Sequence, residues 1–172
     1  AAANPSRYKL LWYANDGVGN FTSVETIDRS FRGAEEVVLA DLDRNGWLDA
    51  IVPSAVLDEI RWYTDVGNPA HSTPPHTLPE IDRPHAQYPP RITDIAADAG
   101  SADALAAGDF DQDGDLDVLA CSNRQGMISW AENDGQGQAS AQHSLLSYHG
   151  TARRPDVADL DSDGDVDIVV PL

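Results

Sequence analysis

Three nine-residue stretches of the chain carry acidic side chains in one repeated spacing. They run from residue 41 to 49, from 109 to 117 and from 159 to 167, and are the first, second and third loops below. In each loop, oxygen-bearing side chains stand at positions 1, 3, 5 and 9, and glycine stands at position 6. Hard cations such as calcium take about six to eight oxygen ligands, and glycine permits the sharp turn that gathers them. The spacing therefore predicts three cation-binding loops.

The predicted ligands of each loop are the side chains at positions 1, 3, 5 and 9 and a backbone carbonyl at position 7. Because position 7 needs only its carbonyl, a tryptophan fits there as well as an aspartate. The alternative, a set of solvated acidic turns, is disfavoured by three copies with glycine in register. About three calcium ions are thus the predicted cofactor. The predicted metal-binding residues are Asp41, Asp43, Asn45, Trp47 and Asp49 in the first loop, Asp109, Asp111, Asp113, Asp115 and Asp117 in the second, and Asp159, Asp161, Asp163, Asp165 and Asp167 in the third.

The residues around the loops distinguish between calcium-binding architectures. An EF-hand would carry a bidentate glutamate at position 12, where this chain has Val52, Ala120 and Val170. Short apolar runs follow the loops at 50–53, 118–121 and 168–171, so the loops are predicted to join strands. A dockerin-like arrangement is excluded because it would need a helix after the loop. A thrombospondin-type array would need far more than the one cysteine present.

The loops and the segments that accompany them resemble the FG-GAP/VCBS repeat family, which is also seen in the heads of integrin α-chains. The resemblance rests on the DxDxDGxxD loops and on two related segments, Trp-Tyr-Ala-Asn-Asp-Gly-x-Gly at 12–19 and Trp-Ala-Glu-Asn-Asp-Gly-x-Gly at 130–137. It implies an all-β fold built from four-stranded antiparallel blades of a calcium-binding β-propeller, commonly a seven-bladed one. The first loop departs from the pattern with Asn45 at position 5 and Arg44 beside it, so we expect weaker binding there.

Internal repeats divide the chain into blades. The first and second loops start 68 residues apart and the second and third 50 apart, and Trp12, Trp62 and Trp130 recur at intervals of 50 and 68. One repeat therefore carries an insertion of 18 residues. We predict one unit of about three blades' worth. Its segments are 1–33 (strands three and four of a partial blade), 34–101 (a full blade with an insertion at 69–88), 102–151 (a full blade) and 152–172 (strands one and two of a partial blade).

Two further features have alternative interpretations. The insertion is rich in proline, which forbids regular strand or helix, so an extended loop is predicted on the same face as the calcium loops. Its acidic and histidine side chains could bind a transition metal, but their spacing matches no pattern that fixes a geometry; they are His71, His76, Glu80, Asp82 and His85. The repeated tryptophans are predicted to pack between blades rather than to bind sugar.

Composition and charge limit the possible partners and location. A formal charge of −18 argues against nucleic acid, although thirteen of the 29 acidic residues lie in the three loops. The single cysteine, Cys121, excludes an internal disulfide and is predicted to be a small packed residue. No stretch is long and apolar enough for a membrane span. Calcium sites of this open kind are tuned to about 0.1 to 1 mM, which favours an extracellular or cell-surface location.

These observations favour a non-enzymatic binding module that mediates adhesion, protein assembly or ligand binding. No nucleophile with an oriented base is recognisable, and the carboxylates are needed as metal ligands. The alternatives are a glycan-binding lectin and an accessory or catalytic propeller of a secreted polysaccharide-active enzyme. Expected partners are a protein or glycan ligand and the remaining propeller blades, from the same or another chain, because about four to eight blades close a propeller.

Overall fold

The strands of the chain account for all of its regular structure where it is described. The computed structural model describes residues 9–29, 32–34, 36–54, 56, 59–66, 68, 102–124, 126–136 and 139–172. Among these residues there are eleven strands and no helix, which confirms the predicted all-β class. In particular, the described segments contain no helix that is long and apolar enough to cross a membrane. The insertion at 69–88, with the metal site suggested for its histidines, lies outside the described residues.

The strands form four antiparallel sheets in chain order. The largest is a four-stranded meander, as expected for one propeller blade, and each sheet joins strands that are consecutive in the chain. The division of the chain at residues 33, 101 and 151 stays a prediction. The sheets are β1 (Leu10–Asn15) with β2 (Phe21–Asp28); β3 (Val38–Ala40), β4 (Asp49–Ser54) and β5 (Glu59–Tyr63); β6 (Ala104–Gly108), β7 (Asp117–Ser122), β8 (Met127–Asn133) and β9 (Ala139–Ser147); and β10 (Asp156–Ala158) with β11 (Asp167–Val169).

Each predicted cation loop connects the first two strands of a sheet. The first loop joins β3 to β4, the second joins β6 to β7 and the third joins β10 to β11. The strand after each loop begins at position 9, one residue earlier than the apolar run indicates. The reason is that position 9 already pairs across the ladder, as Asp49 does with Ala40 and Asp117 with Gly108. The last acidic residue of each loop is therefore held by strand pairing.

The core lies between successive sheets. Every residue of β4 and β7 is buried, as expected for short, continuously apolar runs that are covered on both faces. One cluster joins residues of the β3–β5 sheet and first loop to residues of the next sheet; its members are Ala40, Leu42, Ile51, Ile60, Trp62, Ala102, Leu105, Val118, Ala120 and Ala131. A second cluster joins the β6–β9 sheet to Val157 and Ile168 of the last sheet. Each sheet is thus stabilised by packing on its neighbour.

Two of the tryptophans and the cysteine contribute to the core between the sheets. Trp62 is buried in the first cluster and Trp130 packs against the second, in agreement with the predicted packing role, while Trp12 is half-buried. Trp130 also stacks on His143 of β9, with ring centroids 4.2 Å apart. Cys121 is fully buried, as predicted. Burial, together with the negative charges of Glu36 and Asp103, raises the pKa of its thiol to about 11.

Candidate metal centre

The carboxylates of each loop converge from three of the predicted ligand positions. Positions 1, 3 and 9 each offer one carboxylate oxygen, and in every loop these three oxygens lie within 4.8 Å of one another. The three groups are Asp41, Asp43 and Asp49; Asp109, Asp111 and Asp117; and Asp159, Asp161 and Asp167. The same convergence in three separate sheets indicates that it follows from the nine-residue sequence itself.

Backbone N–H groups of the loop hold these carboxylates in place. The N–H of the position-6 glycine donates to Oδ2 of position 1 in all three loops, namely Gly46 to Asp41 at 2.8 Å, Gly114 to Asp109 at 3.0 Å and Gly164 to Asp159 at 3.0 Å. The same glycines have φ angles of 87°, 89° and 99°, a left-handed conformation that glycine adopts without steric cost. Glycine at position 6 is therefore required by both the turn and the hydrogen bond.

The side-chain oxygens at positions 3 and 5 each accept a hydrogen bond from the backbone N–H two residues further along the loop. Oδ1 of Asp111 accepts from the N–H of Asp113 at 3.1 Å, and Oδ1 of Asp113 accepts from the N–H of Asp115 at 2.8 Å. The first and third loops contain the same pair of bonds. These Asx turns are a local preference of Asp and Asn, so the loop folds largely by contacts among its own residues.

Position 9 links the loop to the rest of its sheet. Oδ2 of Asp49 accepts from the N–H of Leu42, and Oδ2 of Asp117 from that of Phe110, which closes the loop across seven residues. Their Oδ1 atoms accept from backbone N–H groups at 2.9 Å, that of Asp65 two residues after β5 and that of Asn133 at the end of β8. In the third loop, Oδ2 of Asp167 likewise accepts from Leu160 at 2.9 Å.

Burial of position 9 gives it an electrostatic strain that a cation would relieve. The pKa of Asp49 and that of Asp117 are raised, in both cases mainly by burial, while their backbone hydrogen bonds act in the opposite direction. Repulsion adds to the increase, from Asp43 in the first loop and from Asp111 and Asp113 in the second. A positive charge among these carboxylates would favour their ionised forms.

The second loop also contains an oxygen that its own hydrogen bonds leave unused. Oδ1 of Asp109 is buried and has no hydrogen-bond donor among the described residues. A buried carboxylate oxygen without a donor is costly unless a cation coordinates it. Together with the convergence of position 1 with positions 3 and 9, this oxygen shows that the donor set fits a hard divalent cation.

The side chains at positions 5 and 7 are not part of the groups formed by the carboxylates of positions 1, 3 and 9. Asp113 and Asp163 lie outside the converging groups. The side chain of Trp47 is 41% exposed, consistent with a position that offers only its backbone. The position-7 aspartates instead contact the loop before their own: Asp115 forms an ion pair with Arg44, and Asp165 accepts a hydrogen bond from Gln112.

Two kinds of contributing residue are missed by sequence reasoning. The N–H donors of Asp65 and Asn133 both lie 16 residues after position 9, so this recurring interval is a signal that could have identified them. Asn133 also donates from Nδ2 to the carbonyl of Leu42 in the first loop at 2.9 Å, which joins neighbouring sheets. The position-4 residues Arg44 and Gln112 have no such signal, because their partners lie in another repeat.

Comparison with known proteins agrees with this arrangement. The chain is similar to the FG-GAP-like repeat over residues 1–52 and 109–170, ranges that contain all three loops. No curated protein and no solved structure gives a significant match.

Proposed function

Because the chain belongs to the FG-GAP-like repeat family, we propose that it is a calcium-binding β-propeller module without catalytic activity of its own. The observation that carries the proposal is one loop geometry repeated three times, with carboxylate oxygens of positions 1, 3 and 9 within 4.8 Å of one another. Three negative charges at this separation repel one another, and a bound divalent cation offsets the repulsion. The side chains at positions 1, 3, 5 and 9 and the carbonyl of position 7 would hold the ion.

The same carboxylates argue against a hydrolytic role. An acid and base pair for glycoside cleavage needs two carboxyl groups free to exchange protons with a substrate. In the loops, the acidic oxygens accept backbone N–H groups and converge on one point, so they are suited to holding a cation. We therefore favour a structural role for the ion, in which it fixes the turn between the first two strands of each sheet.

The openness of the sites supports an exported or cell-surface location. Asp159 and Asp161 of the third loop are solvent-exposed. Exposed sites with this kind of ligand set bind calcium with dissociation constants of about 0.1 to 1 mM, which are matched to extracellular calcium. A cytosolic protein would leave such sites largely empty.

The proposed role of the module is adhesion, protein assembly or ligand binding. The first loop exposes two adjacent apolar side chains, Trp47 and Leu48, on the end of the molecule where the cation loops lie. An exposed tryptophan also stacks on sugars, which keeps a glycan-binding lectin as the second candidate. A glycan array distinguishes these two, and an activity screen on polysaccharides tests the accessory or catalytic propeller of a secreted enzyme.

We also propose that the sheets are blades of a larger propeller whose further blades come from the same or another chain. Leu42, at position 2 of the first loop, is buried with residues of the next sheet, whereas Leu160 at the same position of the third loop is 62% exposed. Another repeat of the same kind would cover Leu160. Sedimentation of the 172-residue chain tests this: association is expected, and a monomer with a sharp melting transition would contradict it.

Chelation tests the calcium proposal itself. At about 1 mM calcium and a dissociation constant of about 0.1 mM, each site stabilises the fold by about 1.4 kcal/mol. Chelation should therefore lower the melting temperature by several degrees, and Asp161→Asn, which removes a position-3 ligand from the exposed third loop, should reduce the calcium-dependent shift. A melting curve that chelation leaves unmoved would show that the loops are not structural calcium sites.

A further inference from the structure

Neighbouring loops are connected by a contact from position 4 of one to position 7 of the next. Nε of Arg44 in the first loop lies 2.5 Å from Oδ1 of Asp115 in the second. Nε2 of Gln112 in the second loop donates to Oδ1 of Asp165 in the third. Both contacts have the same direction along the chain: position 4 of the first loop contacts the second loop, and position 4 of the second loop contacts the third.

The backbone prepares position 4 for this contact. Arg44, Gln112 and Ser162 have φ angles of 55°, 62° and 65°, a left-handed conformation that is uncommon for residues other than glycine. The recurrence of this conformation at the same position shows that the loop fold imposes it. Position 4 is therefore presented in the same way in every repeat, whatever side chain it carries.

The arginine pair lies between its two loops. A Cβ added to Gly114 would lie 2.5 Å from Nη2 of Arg44, so the guanidinium lies directly over position 6 of the second loop. A Cβ added to Gly135 would lie 2.5 Å from Oδ2 of Asp115, so the β8–β9 turn covers the other side of that carboxylate. Asp115 is buried among these groups, whereas the side chain of Arg44 is 52% exposed. The carboxylate is therefore the fixed partner of the ion pair.

Arg44 belongs by sequence to the first cation site, whereas its guanidinium lies over Gly114 of the second loop. In the chain, Arg44 stands between Asp43 and Asn45, two of the predicted ligands of the first site. A guanidinium that turned toward those ligands would oppose the binding of a divalent cation. Asp115 supplies the compensating negative charge from outside the first loop, whereas the equivalent Asp165 faces a neutral glutamine.

We propose that Asp115 of the second loop raises the cation affinity of the first loop by holding the Arg44 guanidinium over the second loop, away from the ligands of the first. This inference rests on the proposed cation binding. A position-7 carboxylate has this effect only where position 4 of the preceding loop carries a positive charge that could otherwise approach the ligands of its own loop. Asp115 thus acts as a positioning residue for a site that it does not ligate.

Site-resolved calcium titration tests the proposal. The amide signals of Gly46, Gly114 and Gly164 report the three loops separately, because each of these N–H groups donates to the position-1 carboxylate of its own loop. In the chelator-stripped full chain, Asp115→Asn should raise the calcium concentration at the Gly46 midpoint by roughly two- to tenfold, as expected for one uncompensated charge near a divalent ion at an exposed site.

Two variants make the test specific to charge. The matched control Asp165→Asn removes a position-7 carboxylate whose partner Gln112 is neutral, so only a direct Coulomb effect is lost and the Gly114 midpoint should change by less than about twofold. In an Arg44→Gln background, Asp115→Asn should likewise weaken the first loop by less than about twofold, because no guanidinium remains to approach its ligands. Arg44→Gln alone should tighten it, which tests the proposal even where Asp115→Asn folds poorly.

The outcomes separate this inference from the calcium proposal. An unchanged Gly46 midpoint in Asp115→Asn, or an equal weakening with and without Arg44, overturns the positioning role while leaving calcium binding intact. If none of the three glycine amides responds to calcium in the unaltered chain, the proposed function fails, and this inference fails with it.

Discussion

The first and third loops have the same internal geometry in very different surroundings. Both carry leucine at position 2, and both show the same N–H donation from position 6 to position 1 and from position 2 to position 9. Leu42 of the first loop is 1% exposed and Leu160 of the third is 62% exposed. Asp49 is fully buried, whereas Asp167 is half-buried. The shape of the loop is therefore independent of its burial.

The number of carboxylates is larger in the third loop, which is the less buried of the two. The first loop has three carboxylates with Arg44 among them, and the third has five carboxylates and no basic residue. The better packed loop is thus the one with the weaker ligand field. We therefore expect stability and cation affinity to depend on different residues, with position 2 and its neighbours determining the packing energy and positions 3 to 7 the proposed affinity.

The largest difference between the first and third loops should be in the unfolding free energy that is lost when the leucine at position 2 is truncated. Leu42→Ala removes a fully buried side chain and should lower the free energy of unfolding by about 3 kcal/mol. In the unassociated chain, Leu160→Ala removes the same side chain from an exposed site and should change the free energy of unfolding by less than about 0.5 kcal/mol. Urea unfolding at fixed calcium measures both. Equal losses would contradict the assignment of packing energy to the first loop.

The next largest difference in unfolding free energy between the two loops should follow from substitution of the aspartate at position 9. Oδ1 and Oδ2 of Asp49 accept from the N–H groups of Asp65 and Leu42, so Asp49→Asn places an amide donor against a buried N–H and should cost about 2 kcal/mol. Asp167→Asn is less buried and should cost about 1 kcal/mol. Unfolding in excess chelator separates this effect from lost metal binding. A larger loss for Asp167→Asn would show that burial of position 9 is unimportant.

The calcium affinities of the two loops should follow the order opposite to their packing energies. The first loop should bind calcium roughly tenfold more weakly than the third, because ligand charge tunes affinity and the first loop has two fewer carboxylates. Stepwise removal of calcium, followed at Gly46 and Gly164, should empty the first loop first. If the first loop is the tightest, charge count does not govern these sites.

A smaller effect should appear in the pH dependence of the metal-free protein. Burial raises the pKa of Asp49 above its ordinary value of 3.8. A raised pKa means that the native chain binds this proton more tightly than the unfolded chain, so stability rises as pH falls through the raised pKa toward 3.8 and is lost as pH rises through the raised pKa. In chelator, the wild-type protein should therefore gain stability relative to Asp49→Asn as the solution is acidified from neutral pH. A difference of opposite sign would contradict this.

The local structure of the loops could be predicted from sequence because its causes lie within nine residues. The spacing of acidic positions and glycine predicted the turn, and the apolar runs predicted the strands on either side, since both depend on contacts between near neighbours. The start of β4 at Asp49 rather than at Ala50 is a small departure. It arises because position 9 pairs in the ladder as well as closing the loop.

The contacts between repeats could not be predicted in this way. Nothing in the spacing indicates that Asp115 faces Arg44 rather than its own site, because that contact depends on how two sheets pack together. The same is true of Asn133, which belongs to the repeated segment at 130–137 and donates to the carbonyl of Leu42 in the preceding sheet. Side chains at repeat boundaries are determined by tertiary packing.

Calcium titration of the chelator-stripped chain by calorimetry tests the central claim most directly. Three converging carboxylate groups predict three bound ions, with the weakest binding step lost in Asp43→Asn and one of the tighter steps lost in Asp161→Asn. Titration of both variants beside the unaltered chain assigns the steps to loops. No heat of binding, or a stoichiometry that neither substitution reduces, would contradict the account that the repeated loops are calcium sites.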